Sequence, residues 1–215
     1  MQDYYSLRAP EYEAIYSKPE RQPELQILRE RLTEQVRGRR VLELACGTGY
    51  WTAVAATSAA SINAYDISEA TLAIARAKGL GTHVSFSIGD AFAPLPGPYD
   101  CVLAAFWWSH VPKSRLSAFV AGLAAAAQPG ARLILMDNAY AAGSSTPISR
   151  TDAEGNMYQR RKLADGSTHE VLKNFPDRAA LNAALAPACT GITPEFLRYY
   201  WHLSADFNTH KEKQK

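Results

Sequence analysis

The sequence has 215 residues and a formal net charge of +2. This length suits one folded domain over residues 1–215, and so balanced a charge gives no indication of a nucleic-acid partner. Residues 1–5 do not resemble a signal peptide, no apolar run is long enough for a membrane helix, and the three cysteines lack zinc-ligand spacing. We therefore expect no metal site, no membrane segment and a cytoplasmic location.

Residues 1–22 are rich in tyrosine. Tyr5, Tyr12 and Tyr16 recur at i, i+7 and i+11, which would place them along one stripe of a helix. Tyrosine suits a segment that covers a ligand, because its ring is apolar and its hydroxyl can be aimed. The alternative is that these rings simply pack on the body of the protein. An amphipathic helix is predicted next, over residues 23–37.

Residues 41–52, V-L-E-L-A-C-G-T-G-Y-W-T, carry the most informative pattern in the chain. The apolar run predicts a buried parallel strand. Gly47 and Gly49 follow it and open a helix, which predicts a cofactor loop, because glycines permit a tight turn and let a ligand approach the backbone. A dinucleotide fingerprint would have a third glycine where Thr52 stands, so NAD is only weakly indicated.

The same stretch resembles motif I of the class I S-adenosylmethionine (SAM) methyltransferases, on the pattern Glu43-x-Ala45-x-Gly47-x-Gly49. The resemblance implies SAM as the cofactor and S-adenosylhomocysteine as its product. It also implies that the acidic residue and the loop backbone hold the methionine end of SAM. A carboxylate inside a buried strand needs such a partner, because its burial alone is costly.

The tyrosine-rich start, Y-Y-S-L-R-A-P-E-Y-E-A-I-Y, resembles the N-terminal lid of many small methyltransferases. In that family the lid folds over SAM and the substrate. By this resemblance, residues 1–22 form a lid segment, Tyr5 contacts the cofactor and Tyr16 contacts the substrate. Such a lid is also able to reach across a homodimer.

A second strand is predicted over residues 61–66, and it ends in an acidic residue. Asp66 lies about twenty residues beyond the glycines, where a βαβ unit places its ribose-binding carboxylate, with Ile67 beside it. The alternative is that Asp66 only caps the following helix. Ser68 is able to make that cap by itself, which favours ribose binding for Asp66.

A third strand, over residues 83–88, leads into Gly89-Asp90-Ala91-Phe92. As a bare tetrapeptide this is only a turn signal. It resembles the adenine loop of the family, where Asp90 would accept from the exocyclic amine. The backbone near Ala91 or Phe92 would then meet the adenine ring.

A fourth strand, over residues 99–105, runs into F-W-W-S-H-V-P. Open α/β sheets bind ligands beyond the carboxyl ends of the strands at the switch point, so Ala105 is expected to touch the cofactor. His110 is a general base, an orienting donor or a packed loop histidine. Trp107 or Trp108 would wall the substrate pocket. The segment resembles the S-H-V-P stretch of small-molecule methyltransferases.

After a helix over residues 114–127 and a strand over 131–137, residues 138–157 are predicted to be loop. Residues 158–175 are predicted to form a β-hairpin cap. A two-residue turn would put Arg161 opposite Glu170, with Lys173 on the other face; a three-residue loop with a bulge would put Arg161 and Lys173 on one face. The second arrangement would build a paired cationic site. A basic surface hairpin is the alternative.

A helix from Asp177 and two antiparallel strands close the chain. The expected fold is α/β, with a seven-stranded, mostly parallel sheet, helices on both faces, an N-terminal helical lid and a β-hairpin cap. The resemblance covers nearly the whole chain. Lid, aromatic run and basic hairpin together are similar to small natural-product O-methyltransferases, including a phosphonate O-methyltransferase.

We therefore expect a methyltransferase that acts on an oxygen of a small anionic molecule, a carboxylate or a phosphonate-like group. Guanidinium groups bind such anions through two donors. The predicted substrate-side residues are Tyr16, Trp107, His110, Arg161 and Lys173. Two alternatives stay open. The acceptor is an amine or phenol with His110 as the base, or the domain binds SAM without turnover.

Overall fold

The computed structural model describes residues 8–93, 96–163 and 165–209. The helices are α1 (Gln22–Gln35), α2 (Tyr50–Ala56), α3 (Glu69–Ala77), α4 (Leu116–Ala126) and α5 (Arg178–Leu185). The strands are β1 (Arg40–Leu44), β2 (Ser61–Asp66), β3 (Val84–Ile88), β4 (Tyr99–Ala105), β5 (Ala127–Asn138), β6 (Ile148–Thr151), β7 (Met157–Lys162), β8 (Thr168–Leu172), β9 (Cys189–Phe196) and β10 (Tyr200–Phe207). Short 3-10 helices cover Ala9–Ser17, Pro19–Arg21, Trp108–His110 and Lys113–Arg115.

Seven strands form one sheet in the order β3-β2-β1-β4-β5-β10-β9. The first five are parallel, and β10 runs antiparallel between β5 and β9. The predicted seven-stranded, mostly parallel sheet is confirmed. The strand order reverses at β1 and β4, where Leu44 pairs with Ala104. The carboxyl ends of these two strands therefore lie side by side at the switch point, where ligands bind in this architecture.

Helices cover both faces of the large sheet, as predicted. Val41 of β1 packs in a cluster with Leu28 of α1 and Trp51 of α2. The next residue, Leu42, points to the other face and packs in a cluster with Phe119 of α4. Because both faces are covered, the central strands need apolar side chains at nearly every position, which explains the apolar run that predicted β1.

The N-terminal segment is a 3-10 helix over Ala9–Ser17 rather than an α-helix with a tyrosine stripe. Tyr16 is buried and stacks on Tyr50, with ring centroids 4.0 Å apart. Its hydroxyl accepts a hydrogen bond from Trp51 Nε1 at 3.1 Å. The segment is thus anchored in the core by one aromatic ring. The prediction for Tyr5 lies outside the described residues.

The cap is a three-stranded antiparallel sheet in the order β6-β7-β8, not a two-stranded hairpin. The prediction that residues 138–157 are loop is wrong for β6, which pairs with β7 through polar, exposed residues that lack a strand-like apolar alternation. In the β7–β8 register Arg161 lies opposite His169. The N–H of Lys173 donates to Met157 O at 2.8 Å. Arg161 and Lys173 therefore share one face, as in the second arrangement.

Cys46, Cys101 and Cys189 are buried free thiols. Across the described ranges, no helix is long and apolar enough to span a membrane. In the same part of the chain, no group of three or more His, Cys, Asp or Glu side chains is placed to hold a metal ion.

Candidate functional site

Two adjoining cavities open at the carboxyl ends of β1, β2 and β4. The smaller one, about 270 Å³, we call the glycine-loop cleft. The larger one, about 640 Å³, we call the cationic cavity. Tyr12, Phe106 and His110 line both, so they form the boundary between the two. The cleft contains eight of the eleven residues predicted to bind the cofactor: Ala45, Gly47, Asp66, Ile67, Asp90, Ala91, Phe92 and Ala105.

Asp66 organises the cleft. Its Oδ2 accepts from the N–H of Gly47 at 2.8 Å, and its Oδ1 accepts from the N–H of Ser68 at 2.9 Å and from Thr71 Oγ1 at 3.1 Å. The helix cap on α3 is made by Ser68, whose Oγ accepts from the N–H of Thr71. A carboxylate has about four lone-pair sites, so Asp66 retains acceptor capacity for a ligand hydroxyl. Asp66 is therefore more than a cap, since it holds the glycine loop against the end of β2.

Gly47 and Gly49 of the glycine loop have different structural roles. Gly47 has φ +57°, and a Cβ there would meet nothing within 4 Å. Gly49 has φ +76°, and a Cβ there would lie 2.9 Å from Ala75 Cβ. Gly49 thus lets α2 pack closely on α3. It does not line the cleft, and its predicted place among the cofactor contacts stays a prediction. Ala45 stands at φ +52°, an uncommon conformation for a residue with a side chain.

Glu43 lies behind this loop and lines neither cavity. Both of its carboxyl oxygens are buried, with no hydrogen-bond partner in the described part of the chain. Burial raises the pKa of Glu43 to about 8. Buried polar groups are nearly always satisfied. Thr52 is the nearest polar contribution to the pKa of Glu43, and the buried acid is suited to a further polar or cationic partner.

The residues that resemble an adenine loop line the cleft. Asp90 Oδ1 accepts from the N–H of Phe92 at 2.9 Å, which closes the turn. The guanidinium carbon of Arg115 stands 3.6 Å from the centroid of the Phe92 ring. Trp107 lies beside Phe92, with centroids 6.2 Å apart. Trp107 lines the glycine-loop cleft and not the cationic cavity, and its role as a substrate wall stays a prediction.

The cationic cavity differs from the glycine-loop cleft in the charge of its lining. Its described lining contains seven Lys or Arg residues and no Asp or Glu. The N-terminal segment and the turn before α1 contribute three of these cations, and the cap contributes four. They are Arg8, Lys18, Arg21, Arg160, Arg161, Lys162 and Lys173.

Lys173 is buried and already paired. Its Nζ donates to Asp137 Oδ1 at 2.9 Å and to Ser109 Oγ at 2.6 Å. Asp137 also accepts from the N–H of Ser109 at 2.9 Å. Burial lowers the pKa of Lys173, against the raising effect of Asp137. Burial alone would raise the pKa of Asp137, but the charge of Lys173 and the surrounding hydrogen bonds bring it below its ordinary value. Lys173 thus ties the cap to β5, and one of its three N–H donors remains for the cavity.

Arg161 lies on the same face of the cap as Lys173. Its Nη2 donates to Gln159 Oε1 at 2.8 Å. Gln159 is buried on the same face of β7 and donates to Thr146 O at 2.5 Å. A neutral amide therefore helps to orient the guanidinium.

His110 lies at the boundary of the two cavities. Its Nδ1 is 2.7 Å from Leu172 O. Because a carbonyl only accepts, Nδ1 carries the proton, and in the neutral ring Nε2 is the basic nitrogen. Burial and the charge of Lys173 lower the pKa of His110 well below its ordinary value. A neutral imidazole with a defined tautomer thus stands at the boundary.

Sequence reasoning placed Tyr16 in the substrate site, but Tyr16 lines neither cavity. Tyr12, four residues earlier, lines both. The tyrosine stripe contained both residues, but in the 3-10 segment the Tyr16 ring is buried in the core and Tyr12 lines the cavities. Asp137 was also missed. Its position at the end of a strand next to β4 is the signal that would have found it.

Comparison with known proteins gives several relatives that are described as methyltransferases. A family model described as "Methyltransferase domain" matches residues 41–130. A ubiquinone biosynthesis O-methyltransferase of Xylella fastidiosa (strain 9a5c) is 32% identical over 162 residues, which are 70% of this chain and 60% of that protein. The corresponding protein of Bordetella pertussis is 35% identical over 98 residues, which are 43% of this chain and 40% of that protein. The chain thus spans 40% to 60% of the length of these two relatives.

Among solved structures, a DhpI–SAH complex is 30% identical, with a TM-score of 0.80 over 97% of this chain and 96% of that one. A DhpI–SAM–HEP complex is also 30% identical, with a TM-score of 0.77 over 94% of each chain. The magnesium protoporphyrin IX methyltransferase of Synechocystis PCC 6803 with bound SAH is 21% identical, with a TM-score of 0.61 over 87% of this chain and 83% of that one. This third likeness shows a common fold.

Proposed function

Because the chain belongs to the class I S-adenosylmethionine-dependent methyltransferases, we propose that it transfers the methyl group of SAM to an oxygen atom of a small anionic molecule. One observation supports an anionic acceptor. The cationic cavity that adjoins the cleft has seven Lys or Arg residues in its described lining and no carboxylate. Such a lining raises the local concentration of anions and disfavours cations.

The glycine-loop cleft fits SAM. Its described lining contains two carboxylates, Asp66 and Asp90, and no Lys or Arg. That suits a cofactor with a sulfonium and an ammonium group better than one with a pyrophosphate. Asp66 would hold the ribose hydroxyls, and Asp90 with the backbone at Ala91 and Phe92 would hold the adenine. When bound, SAM supplies a methyl group on positively charged sulfur.

The methionine end would lie along the glycine loop, next to the boundary with the cationic cavity. The N–H groups of this loop and the first turn of α2 are suited to a carboxylate. Glu43, buried and unsatisfied behind the loop in the described structure, is suited to the ammonium, directly or through water. Ala45, Ile67 and Ala105 complete the cleft wall.

On the acceptor side, the chain has mainly to position an oxyanion. Methyl transfer is an in-line displacement, so the acceptor lone pair must be aligned with the carbon–sulfur bond. Arg161 would bind the acid through its planar donors, and Lys173 would add the one donor that Asp137 and Ser109 leave. An acceptor that is already an anion needs no base. His110 would then orient it at the boundary.

The test is methylation of a panel of carboxylic and phosphonic acids by the purified protein with SAM, followed by mass spectrometry of the esters. Arg161→Gln is expected to lower kcat/KM at least about 30-fold, which corresponds to about 2 kcal/mol or more for truncating a buried charged contact. Arg150→Gln is the matched control. Arg150 lies in the same small sheet, outside the cavity, in an exposed ion pair with Glu170, and its loss should change kcat/KM less than about threefold.

Ester formation at an unchanged rate in Arg161→Gln would contradict the proposed acceptor class. SAM bound tightly, with no methylated product from any acceptor, would instead support a binding module without turnover. A neutral hydroxyl acceptor is a second candidate, favoured by the neutral His110 at the boundary. In that case His110 would be the general base.

We further infer a cytoplasmic protein, which its three free thiols support. A lid that reaches across a homodimer stays a prediction, which light scattering of the purified protein will check.

A further inference from the structure

The cationic cavity is larger than a two- or three-carbon acid requires. Its volume of about 640 Å³ corresponds to roughly twenty water molecules at about 30 Å³ each. Pockets of this size hold drug-sized ligands. Arg161, Lys173 and His110 account for one end of the cavity, which leaves its other end without an assigned role.

That other end has its own cations. Lys18 and Arg21 line the cavity from the turn before α1, and neither is ion-paired with a described carboxylate. Arg21 Nη2 donates to Ser144 Oγ at 3.0 Å. Arg21 Nε is buried and has no hydrogen-bond partner among the described residues. A buried donor of a charged group without an acceptor is costly, so this guanidinium is suited to an additional acceptor.

Arg21 is also held in place. Its guanidinium carbon lies 5.1 Å from the centroid of the Tyr199 ring and 5.7 Å from that of Tyr200. A guanidinium fixed on two aromatic faces and bonded to a serine hydroxyl loses little further freedom when it binds a ligand. It is a built anchor rather than a mobile surface charge.

The two ends are joined by one loop. Ser144 accepts from Arg21 at one side, and Thr146 O accepts from Gln159, the partner of Arg161, at the other. Two residues of backbone, roughly 7 Å at most, separate these contacts. The two cationic groups thus line one cavity and bond to neighbouring parts of a single loop, so one extended molecule is suited to contact both.

We propose that Lys18, Arg21 and the Ser144 hydroxyl form a second anion-binding subsite. The substrate then carries two anionic groups, one at each end. The group held by Arg161 and Lys173 accepts the methyl, and a carboxylate, phosphate or phosphonate at the far end binds Lys18 and Arg21. This inference rests on the proposed function for the methyl-accepting end.

The test is calorimetric titration of the protein loaded with S-adenosylhomocysteine. The probes are matched pairs of monoacid and diacid: pentanoate with glutarate, hexanoate with adipate, heptanoate with pimelate, and propylphosphonate with 3-phosphonopropionate. At least one diacid is expected to bind about tenfold more tightly than its monoacid, as for one additional charged hydrogen bond. Lys18→Gln and Arg21→Gln should each weaken diacid binding by a larger factor than monoacid binding, and so reduce this advantage.

Arg37→Gln removes the same charge from an exposed residue outside the cavity and should keep the full diacid advantage. Lys18 is exposed, so Lys18→Gln keeps the test valid even where Arg21→Gln unfolds, which thermal melting reports. Diacids that bind no better than monoacids, or an advantage that survives Lys18→Gln, would overturn the second subsite. Monoacids that bind equally well to wild type and Arg161→Gln would contradict the proposed function instead.

Discussion

The glycine-loop cleft and the cationic cavity share a boundary but have opposite chemistry. The described lining of the cleft has two carboxylates and no Lys or Arg, whereas that of the cavity has seven Lys or Arg and no carboxylate. A cationic cofactor and an anionic acceptor are each drawn to one cavity and disfavoured in the other. The boundary residues His110 and Phe106 then lie where the two ligands would meet.

The two cavities also differ in how the chain builds them. The cleft consists mainly of consecutive loops at the ends of neighbouring parallel strands, each loop within a few residues of its strand. The cavity is assembled from four segments far apart in sequence, in residues 8–21, 106–110, 138–146 and 159–175. Substitutions in the cavity frame are therefore expected to cost stability as well as binding, while those in the cleft affect mainly the cofactor.

The largest effect is expected at the buried ion pair that fixes the cap. Asp137→Asn keeps the size of the side chain but leaves the Lys173 ammonium buried without its counter-charge. The free energy of unfolding should fall by about 3–5 kcal/mol at pH 7, measured by urea denaturation. Because the folded-state pKa of Lys173 is lowered, deprotonation at higher pH favours the folded variant, so the loss should shrink between pH 7 and 10.

Asp100→Asn is the matched control for Asp137→Asn. Asp100 is ion-paired with Arg40 near the surface, where the two side chains are 24% and 53% exposed. A pair of this kind contributes about 1 kcal/mol or less. Equal losses in the two variants would show that burial does not distinguish these pairs, and the cap would not depend on Lys173.

The next largest effect is expected on SAM binding in the glycine-loop cleft. Asp66→Asn replaces one of two acceptor oxygens by a donor, which opposes the N–H groups of the loop that now bond to it. The Kd for SAM should rise about 10- to 100-fold by calorimetry, as for a lost charged hydrogen bond. Glu69→Gln, an exposed acid three residues along and outside the cleft, should leave the Kd unchanged. A larger effect of Asp66→Asn on acid binding than on SAM would reverse the roles of the two cavities.

The pH profile and the substitution His110→Gln test the role of His110 at the boundary of the two cavities. Since burial and Lys173 lower its pKa, the imidazole stays neutral through pH 6.5, the ordinary value, and kcat/KM should be flat from pH 8 to 6.5. For an acid acceptor, His110→Gln should cost less than about tenfold in kcat/KM. For a hydroxyl acceptor that needs a base it should cost about 10²- to 10⁴-fold. A fall centred at or above pH 6.5 that His110→Gln abolishes would contradict the lowered pKa.

The smallest effect is expected at Tyr16. Tyr16→Phe removes the hydrogen bond from Trp51 in the aromatic core and should lower the free energy of unfolding by about 1 kcal/mol. KM for both SAM and the acceptor should not change, because Tyr16 lines neither cavity. Tyr12→Phe, at a residue that lines both, is the contrast. A raised acceptor KM in Tyr16→Phe would restore Tyr16 to the substrate site.

The sequence by itself determined the parallel sheet and most of the cleft. The apolar run of β1, the glycines and the acidic residue after β2 each act within a few residues of the backbone they shape. A strand, its loop and the following helix can therefore be predicted from local spacing. Eight of the residues predicted to bind the cofactor line the cleft. Gly49 shows the limit of prediction from local spacing, because its different role from that of Gly47 is seen only in the packing of α2 on α3.

Only the tertiary structure decided the cationic cavity. Sequence left two registers for the cap, and pairing of Arg161 with His169 put Arg161 and Lys173 on one face. The burial of Lys173 against Asp137, 36 residues away, and the choice of Tyr12 over Tyr16 depend on contacts between remote segments. The physical reason is that charge compensation and burial are set by three-dimensional neighbours, which local spacing does not encode.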